Sequence, residues 1–549
     1  MKRTCRTGAV AALSLLAQLT AVPFRAVAQN SKAVIGKGTG IQRALLISID
    51  GMHALDFANC AKGIFSVNGG APYCPNLAEL SANGVNYLAA STTKPSDSFP
   101  GSGALASGGS ARATGMFYDV NYDRALSPPV KTTPYGIVGG ANLCPSVVGT
   151  PVGFDEEIDV DYTRLDGGGG INPDYLPRDP AHSCQPVYPH QYIRVNTIFE
   201  VVRNNGGYTA WSDKHPAYDF YNGPSGKGVD DLYSPEINST VVGLPGVSGC
   251  ESVADPSADL SAWTNSFANI RCYDSLKVNA LLNEINGRTH DGASTAPVPN
   301  LLGMNFQAVS VGQKLVENGV AGGYLDSAGT PNPNLLQEIQ FVDRSMGQLV
   351  NRLKERGLYE STLIVITAKH GQSPMDPKKV LRIPADDPSL QSPADLLGDL
   401  VAQSSEDDVS LIWLKDQSQT ARAVSTLEDS QGLIGSGEIF SGPSLELLFD
   451  NPALDPRTPD IVVQPNVGVI YTGGKKKISE HGGLAHDDLN VILLVSHAQL
   501  SPGTITIPVQ TTQVAPTILK ALGINPSQLQ AVKREKTEVL PGVSFTAPF

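Results

Sequence analysis

The chain has few charged residues and few cysteines, and it lacks the patterns that would assign it to several common protein classes. Charged residues make up 17% of the 549 residues and aromatic residues 6%, and the formal net charge is −13. Such an acidic balance excludes a general binder of the nucleic-acid backbone. None of the seven cysteines forms a Cys-x-x-Cys pair, which argues against a cysteine zinc site. No internal repeat is present, and a hydrophobic content of 41% indicates a globular protein.

One long apolar segment occurs, and it lies at the N-terminus. Three basic residues precede the apolar stretch 8–19, and small residues at 26–28 fit a cleavage site. The stretch is too short to span a bilayer comfortably. We therefore predict that residues 1–28 are a secretory signal and that the protein is secreted or periplasmic. We expect no stable membrane span.

The cysteine count is consistent with export. Cys5 leaves with the signal, so six cysteines remain in the mature chain. An even number in an exported protein predicts disulfides, and six cysteines allow 15 pairings. Proximity along the chain favours three pairs: Cys60–Cys74, Cys144–Cys184 and Cys250–Cys272.

Three apolar runs predict buried parallel strands, and each ends in polar residues. The run 44–49 is followed by Asp50, the run 300–306 by Gln307, and the run 363–368 by the basic pair Lys369 and His370. Continuous apolar runs of this length are typical of strands buried on both faces. In open α/β sheets, ligands bind beyond the carboxyl ends of the strands. The sequence therefore predicts that these polar groups meet at one site.

Two further candidate residues lie outside the predicted strands. Ser98 directly precedes a run of small residues that predicts a helix, so its hydroxyl would lie where backbone N–H groups can hold an anion. His481 is followed by two glycines in a predicted loop. Carboxylate, imidazole and hydroxyl groups suit zinc or a similar divalent ion. A metal beside a serine lowers the hydroxyl pKa and makes it a nucleophile.

The remaining pattern predicts a single domain with one long elaboration. Residues 116–298 are rich in loops and contain four cysteines, with one unit of regular structure near 197–211. Residues 337–356 have the apolar spacing of an amphipathic helix that stops at Gly357. We also predict a strand at 490–495 and a helix at 511–523.

The order and spacing of these motifs resemble the alkaline phosphatase superfamily, and within it the type I phosphodiesterase/nucleotide pyrophosphatase family. The resemblance covers residues 41–525. It implies a three-layer α/β fold, with a central, mostly parallel sheet flanked by helices. In this interpretation, residues 116–298 are a disulfide-bearing elaboration and residues 526–549 a C-terminal tail. The matching segments are 46–51, 98–100, 114–119, 353–358, 365–371, 481–483 and 511–519.

The resemblance also implies an activity and a set of site residues. Relatives hydrolyse phosphoric esters with two zinc ions about 4 Å apart and a Ser or Thr nucleophile. By position, Asp50 and His370 would bind one metal, Ser98 would be nucleophile and ligand, and His481 would bind the other metal. Lys214 and His215 would contact the substrate, although a hydrogen-bonded loop is an equally good interpretation of that segment.

The chain departs from the family at three expected ligands. The family has an Asp-His pair where this chain has Lys369-His370, and an ammonium group has no lone pair for a metal. The family's Asp-x-x-x-His segment corresponds either to Val309–Gln313, which loses both ligands, or to Asp326–Thr330, which keeps the acid. We prefer the first alignment because it follows the strand directly.

Two further hypotheses concern replacement of the lost ligands. His486 would replace one of them, and Asp487 or Asp488 would orient His481. The alternative is that residues 486–488 form a solvated cap before the next strand.

These departures lead to three functional hypotheses. The first is a hydrolase of phosphodiester or nucleotide-type esters that holds one or two divalent ions, with zinc expected, and uses Lys369 as an electrophilic helper. The second is a sulfatase-like ester hydrolase. The third is a degenerate pocket that binds anions and does little chemistry. In each case we expect the ligand to be a small anionic ester and not a nucleic-acid scaffold.

Overall fold

The computed structural model describes residues 35–240, 243–244, 246–250 and 263–545. The predicted signal at residues 1–28 lies outside the described residues. Residues 33–549 form one compact unit. Within the described residues, no helix combines the length and the apolar character that a membrane crossing requires.

An eight-stranded sheet forms the centre of the fold. Its strands are β1 (Arg43–Ile49), β2 (Gly84–Tyr87), β3 (Ala210–Ser212), β4 (Asp231–Tyr233), β5 (Leu301–Phe306), β6 (Thr362–Thr367), β11 (Leu494–Ser496) and β12 (Gly503–Ile505). They lie in the order β12-β2-β11-β6-β1-β5-β3-β4. Strand β11 runs antiparallel to both of its neighbours, whereas the other paired strands are parallel.

The register of the three central strands places their polar ends side by side. Ser48 of β1 pairs with Asn305 of β5 and with Thr367 of β6. Asp50 lies two residues after Ser48, Gln307 two residues after Asn305, and Lys369 two residues after Thr367. The predicted convergence of strand ends is therefore correct, because parallel strands in register end at the same edge.

Helices cover both faces of this sheet, which gives three layers. Alternate residues of each central strand point to opposite faces, so Leu46 and Val365 belong to one apolar cluster and Leu45 and Ile364 to the other. This confirms the predicted fold class. The longer helices are Ala54–Lys62, Pro75–Ala82, Ser98–Ser107, Ile198–Asn204, Phe267–Ile285, Ala308–Lys314, Pro333–Glu355, Thr420–Glu428 and Val514–Ala521.

A second, smaller sheet lies in the segment 401–465. Its strands are β7 (Val401–Glu406), β8 (Ser410–Leu414), β9 (Ser436–Ser441) and β10 (Ile461–Pro465). They lie in the order β7-β8-β10-β9, and the paired strands are antiparallel. The buried residues of β8 alternate between two small apolar clusters, one on each face of the sheet.

Three disulfides link the pairs that proximity favoured. Cys60 is bonded to Cys74, Cys144 to Cys184, and Cys250 to Cys272. Each bond closes a short loop, of which the longest spans 40 residues. The predicted pairing is therefore confirmed.

Several predicted element bounds differ from the structure. The amphipathic helix begins at Pro333, earlier than predicted, because Asn332 caps it by accepting from two backbone N–H groups. The segment predicted as a strand from Asn490 contributes residues from Leu494 onward. The predicted C-terminal tail contains the helix Gln530–Glu535, whose last residue accepts a hydrogen bond from Ser110 Oγ.

Candidate active site

Asp50, at the end of β1, is a fully buried carboxylate surrounded by hydrogen-bond donors. Asn305 Nδ2 donates to its Oδ1 at 2.6 Å, and Gln307 Nε2 donates to its Oδ2 at 2.6 Å. Burial would raise the pKa of Asp50, but the charges of Lys369 and His370 outweigh it and hold the pKa well below its usual range. Asp50 is therefore an anion in the folded protein.

Lys369 lies at the end of β6, where the resemblance predicts an aspartate, and forms a buried ion pair. Its Nζ is 2.7 Å from Asp213 Oδ1, and neither side chain is exposed. The same Nζ lies 4.2 Å from the ring centroid of Tyr218. Burial lowers the pKa of Lys369, and the charges of Asp213 and Asp50 oppose that shift. Lys369 thus brings an ammonium group to the strand ends without supplying a metal ligand, and Asp213 balances its charge.

His370 and His481 lie together, as their predicted roles require. Their rings stack with centroids 3.9 Å apart. His370 Nδ1 lies 2.7 Å from the carbonyl oxygen of Gly371, and its Nε2 lies 3.5 Å from Asp50 Oδ2. His481 Nε2 lies 3.5 Å from Asp97 Oδ1. Burial and the neighbouring His370 lower the pKa of His481 well below its usual range, so His481 is neutral at neutral pH.

Ser98 begins the helix Ser98–Ser107, and its hydroxyl has a basic neighbour. Asp97 caps the helix, with its carboxylate accepting from the N–H of Phe99 at 2.8 Å. Lys214 Nζ donates to Ser98 Oγ at 3.0 Å. The positive end of the helix and the ammonium group both favour negative charge at this hydroxyl. Ser98 itself is 2% exposed.

The predicted site residues therefore lie as a connected group. Asp50 contacts His370, His370 stacks on His481, and His481 lies beside Asp97, the neighbour of Ser98. Backbone contacts hold these segments, since Gly51 N donates to the carbonyl of His370 at 3.2 Å.

His215 has a different neighbourhood from Lys214, although the two are adjacent in sequence. Its Nδ1 lies 2.9 Å from both carboxylate oxygens of Glu236. Burial lowers the pKa of His215 to about 4. Burial and the nearby Glu156 raise the pKa of Glu236 to about 8. Burial and the charge of Glu236 raise the pKa of Asp159 to about 10. Lys214 thus faces Ser98, while His215 belongs to a cluster of acids.

Neither alignment of the Asp-x-x-x-His segment places a ligand at Asp50. Val309 is buried in the apolar core, and Gln313 Nε2 donates to the carbonyl of Gly51 at 2.8 Å. Asp326 lies in a turn, where its Oδ1 accepts from the N–H groups of Ala328 and Thr330. The amides that reach Asp50 are those of Asn305 and Gln307, and the sequence identified Gln307 only as the residue after a strand.

The residues after His481 have other partners. Asp487 Oδ2 accepts from the N–H of Met375 at 3.0 Å. The carboxyl group of Asp488 is hydrogen-bonded to that of Asp408. Burial and the charge of Asp408 raise the pKa of Asp488 well above its usual range. His486 begins a four-residue helix. The expectation that one of them orients His481 therefore has no contact in the described residues to support it.

The donors at the strand ends do not fit the two-zinc arrangement of the family. Lys369 stands where a carboxylate ligand would be, and the amides of Asn305 and Gln307 donate to both oxygens of Asp50. The side chains of Asp50 and His370 do fit a single cation. The hydrogen bond at His370 Nδ1 leaves an Nε2 lone pair that faces Asp50 Oδ2 at 3.5 Å, close to the ~3.4 Å that separates two ligands on one zinc.

One sequence family matches part of the chain. Residues 306–487 match the sequence profile of a family described as type I phosphodiesterase / nucleotide pyrophosphatase. This match supports the expectation of a phosphoric ester hydrolase. Among curated proteins, no relative matches the chain.

Solved structures with the same fold are distant in sequence. Murine ectonucleotide pyrophosphatase / phosphodiesterase 5 is 14% identical with a TM-score of 0.52, and the match covers 88% of this chain and 96% of that chain. An inactive form of that murine protein, in complex with AMP, matches to the same extent. The alkaline phosphatase PafA is 12% identical with a TM-score of 0.53 and the same coverage. At these identities the likeness establishes the fold.

Proposed function

We propose that this chain is a member of the alkaline phosphatase superfamily that hydrolyses phosphoric esters of the phosphodiester or nucleotide type through Ser98. The observation that carries the proposal is the hydrogen bond from Lys214 Nζ to Ser98 Oγ at 3.0 Å, at the start of a ten-residue helix. A serine held in this way has a stabilised alkoxide, which is the form that attacks phosphorus.

The reaction uses the groups that surround Ser98. Ser98 Oγ forms a bond to phosphorus while the bond from phosphorus to the leaving oxygen breaks. The proton that Ser98 loses is balanced by the proton that the leaving alcohol takes from solvent. Ser98 then carries the phosphoryl group with its remaining ester, and water cleaves the bond between Ser98 Oγ and phosphorus, which releases the monoester and restores the hydroxyl. Lys214 and the N-terminus of the helix stabilise the charge on the phosphoryl oxygens.

At most one divalent cation, with zinc expected, enters the proposal, and Asp50, Ser98 and His370 would hold it. When bound, such an ion acts as a Lewis acid and lowers the pKa of the serine hydroxyl. His481 stacks on His370 and keeps a neutral imidazole at the edge of this group.

Lys369 has a supporting role in the proposed site. Its ammonium group is shared with Asp213 and lies near Asp50. It supplies positive charge where relatives have a ligand to a metal, and it thereby partly compensates the buried Asp50 carboxylate. Substrate phosphoryl groups would then be met by two lysines and at most one ion.

The substrate class and the location follow from the same comparisons. The AMP complex of the murine relative favours a nucleotide-type ester. The three disulfides favour an exported protein. A degenerate, anion-binding site is the second candidate, and the observation that favours it is that Lys369 takes a ligand position of the family.

The experiment is an assay of the purified protein with aryl phosphodiesters, phosphomonoesters and sulfate esters across a series of divalent metals. We expect diesterase activity that Ser98→Ala abolishes. Ser102→Ala is the matched control, because Ser102 is a buried serine on the same helix. No turnover of any ester with any metal would favour the degenerate site.

A further inference from the structure

A second group of potential metal ligands lies away from the strand ends. Among the described residues, Glu156, His215 and Glu236 are the one group of three whose ligand atoms all lie within 4.8 Å of one another. Ligands on one zinc ion at ~2.1 Å stand ~3.4 Å apart in a tetrahedron. Small shifts of these side chains would therefore bring their ligand atoms to the spacing that a bound ion requires.

An independent observation points into the same group. Asp159 is 1% exposed, and no N–H or hydroxyl donor among the described residues reaches its carboxylate oxygens, so the group that it faces is another acid. Its carboxyl lies next to that of Glu236, as the effect of Glu236 on its pKa shows. A buried carboxylate without a partner is costly. A cation between Asp159 and Glu236 would satisfy it.

No lysine or arginine in the described residues forms an ion pair with these acids. Across the described residues, no lysine or arginine nitrogen lies within 4.0 Å of the carboxylates of Glu156, Asp159 or Glu236, and His215 is the one ion-pair partner that Glu236 has. Elsewhere in the chain, buried carboxylates such as Asp213 and Asp460 do pair with a lysine or an arginine. The cluster therefore gathers three acids with one imidazole and no directly paired lysine or arginine.

The four side chains come from three separate segments. Glu156 and Asp159 lie in and just after the turn Glu156–Ile158, His215 follows strand β3, and Glu236 follows β4. The backbone joins them, because Ile237 N donates to the carbonyl of Lys214 at 3.0 Å. Glu156 is half-buried, which leaves a route for an ion from solvent.

We propose that Glu156, His215 and Glu236, with Asp159 as a fourth oxygen donor, form a binding site for a zinc-like divalent ion. One imidazole with carboxylates suits zinc, and an all-oxygen set would be expected for calcium. The ion ties the segment that carries Lys214 to the turn at 156–159. It is thus a positioning site for that segment and is separate from the strand-end site.

The test measures bound metal, which does not depend on activity. The parent protein and its variants are stripped with a chelator, reloaded with Zn²⁺, separated from free metal and analysed for zinc content. Asp50→Asn removes the strand-end carboxylate, so the zinc that this variant retains reports on the cluster. We expect Asp50→Asn to bind one equivalent and Asp50→Asn/Glu236→Gln to bind none.

The control replaces another buried acid. Glu284 is buried, its carboxylate oxygens have no partner, and it lies in the helix Phe267–Ile285. Asp50→Asn/Glu284→Gln should keep the equivalent of zinc. Equal zinc content with and without Glu236→Gln would overturn the proposal, as would an Asp50→Asn protein that binds no zinc.

A second measurement covers variants that fold poorly. Added Zn²⁺ should raise the unfolding temperature of Asp50→Asn, because a ligand that binds the folded state stabilises it. The milder change Asp159→Asn, made in the same Asp50→Asn background, should reduce that shift, and Ca²⁺ should produce a smaller one. An unfolding temperature of Asp50→Asn that does not respond to Zn²⁺ would contradict the site.

Discussion

Lys369 forms a fully buried ion pair with Asp213, with 2.7 Å between Nζ and Oδ1. The two residues are 156 positions apart in the chain, and the pair joins the ends of β6 and β3. It explains how a lysine can lie where the resemblance predicts a metal ligand, because its counter-ion comes from the elaboration at 116–298.

The ion pair gives the first prediction. Lys369→Met should destabilise the protein by about 3–5 kcal/mol, because it leaves Asp213 buried without its counter-ion. Lys369→Met/Asp213→Asn should recover part of that loss, since the asparagine carries no charge and still accepts from Trp211. Denaturant unfolding with the disulfides intact measures both. Equal loss in the single and double variants would show that the two residues do not act together.

The contact between Lys214 and Ser98 gives the second prediction. Lys214→Met should lower kcat/KM by about 10²–10³-fold, the usual effect of removing one charged donor from a developing anion. Lys214→Arg should recover part of the rate, because the charge remains. Lys378→Met, at an exposed lysine, is the control. A Lys214→Met protein with parental kcat/KM would contradict the proposed role.

The buried acids Asp408 and Asp488 give the third prediction. Their carboxyl groups are hydrogen-bonded to each other in the interior, and burial raises the pKa of Asp408 to about 7. The folded protein therefore holds a proton that the unfolded chain releases near pH 4. The contribution of this proton to the free energy of unfolding is greatest below pH 4. It decreases as the pH rises to 7, by about 1.4 kcal/mol per pH unit for one proton.

The measurement is urea unfolding at several values between pH 5 and pH 8. In Asp408→Asn, the free energy of unfolding should decrease less steeply with pH than in the parent, by about 1.4 kcal/mol per pH unit. Asp399→Asn, at an exposed position, serves as the control. If Asp408→Asn and the parent lose stability with the same slope, the proton is not held there.

The altered ligand position gives the fourth prediction. Restoring the carboxylate of the family with Lys369→Asp, together with Asp213→Asn to avoid an unpaired acid, should tighten Zn²⁺ binding at the strand ends at least tenfold. The comparison is made in a Glu236→Gln background, so that the second cluster does not contribute. Calorimetric titration of the stripped protein gives the affinities. Unchanged or weaker binding would mean that position 369 does not face the ion.

Much of the fold could be predicted because the relevant signals are local. Apolar runs define β1, β5 and β6, and their shared register brings Asp50, Lys369 and His370 to one edge. The three disulfides also follow from proximity along the chain. In these cases, short-range pattern and buried surface lead to the same structure.

Other parts could not be predicted, since their partners come from distant segments. Asp213 became recognisable as the counter-ion of Lys369 once the sheet order was known. The nineteen-residue helix Phe267–Ile285 lies in a segment that predicted mainly loops, and its weak amphipathic pattern gave little signal. One local signal was available but not used, because Gln307 directly follows a strand and reaches Asp50.

The most direct test of the central claim is detection of phosphate on Ser98. The parent protein is mixed with an aryl phosphodiester, quenched with acid during turnover, digested and examined by mass spectrometry. We predict a peptide that contains Ser98 and carries the phosphoryl group with its remaining ester, that is absent from Ser98→Ala, together with loss of hydrolysis in that variant. Hydrolysis at the parental rate in Ser98→Ala would contradict the account.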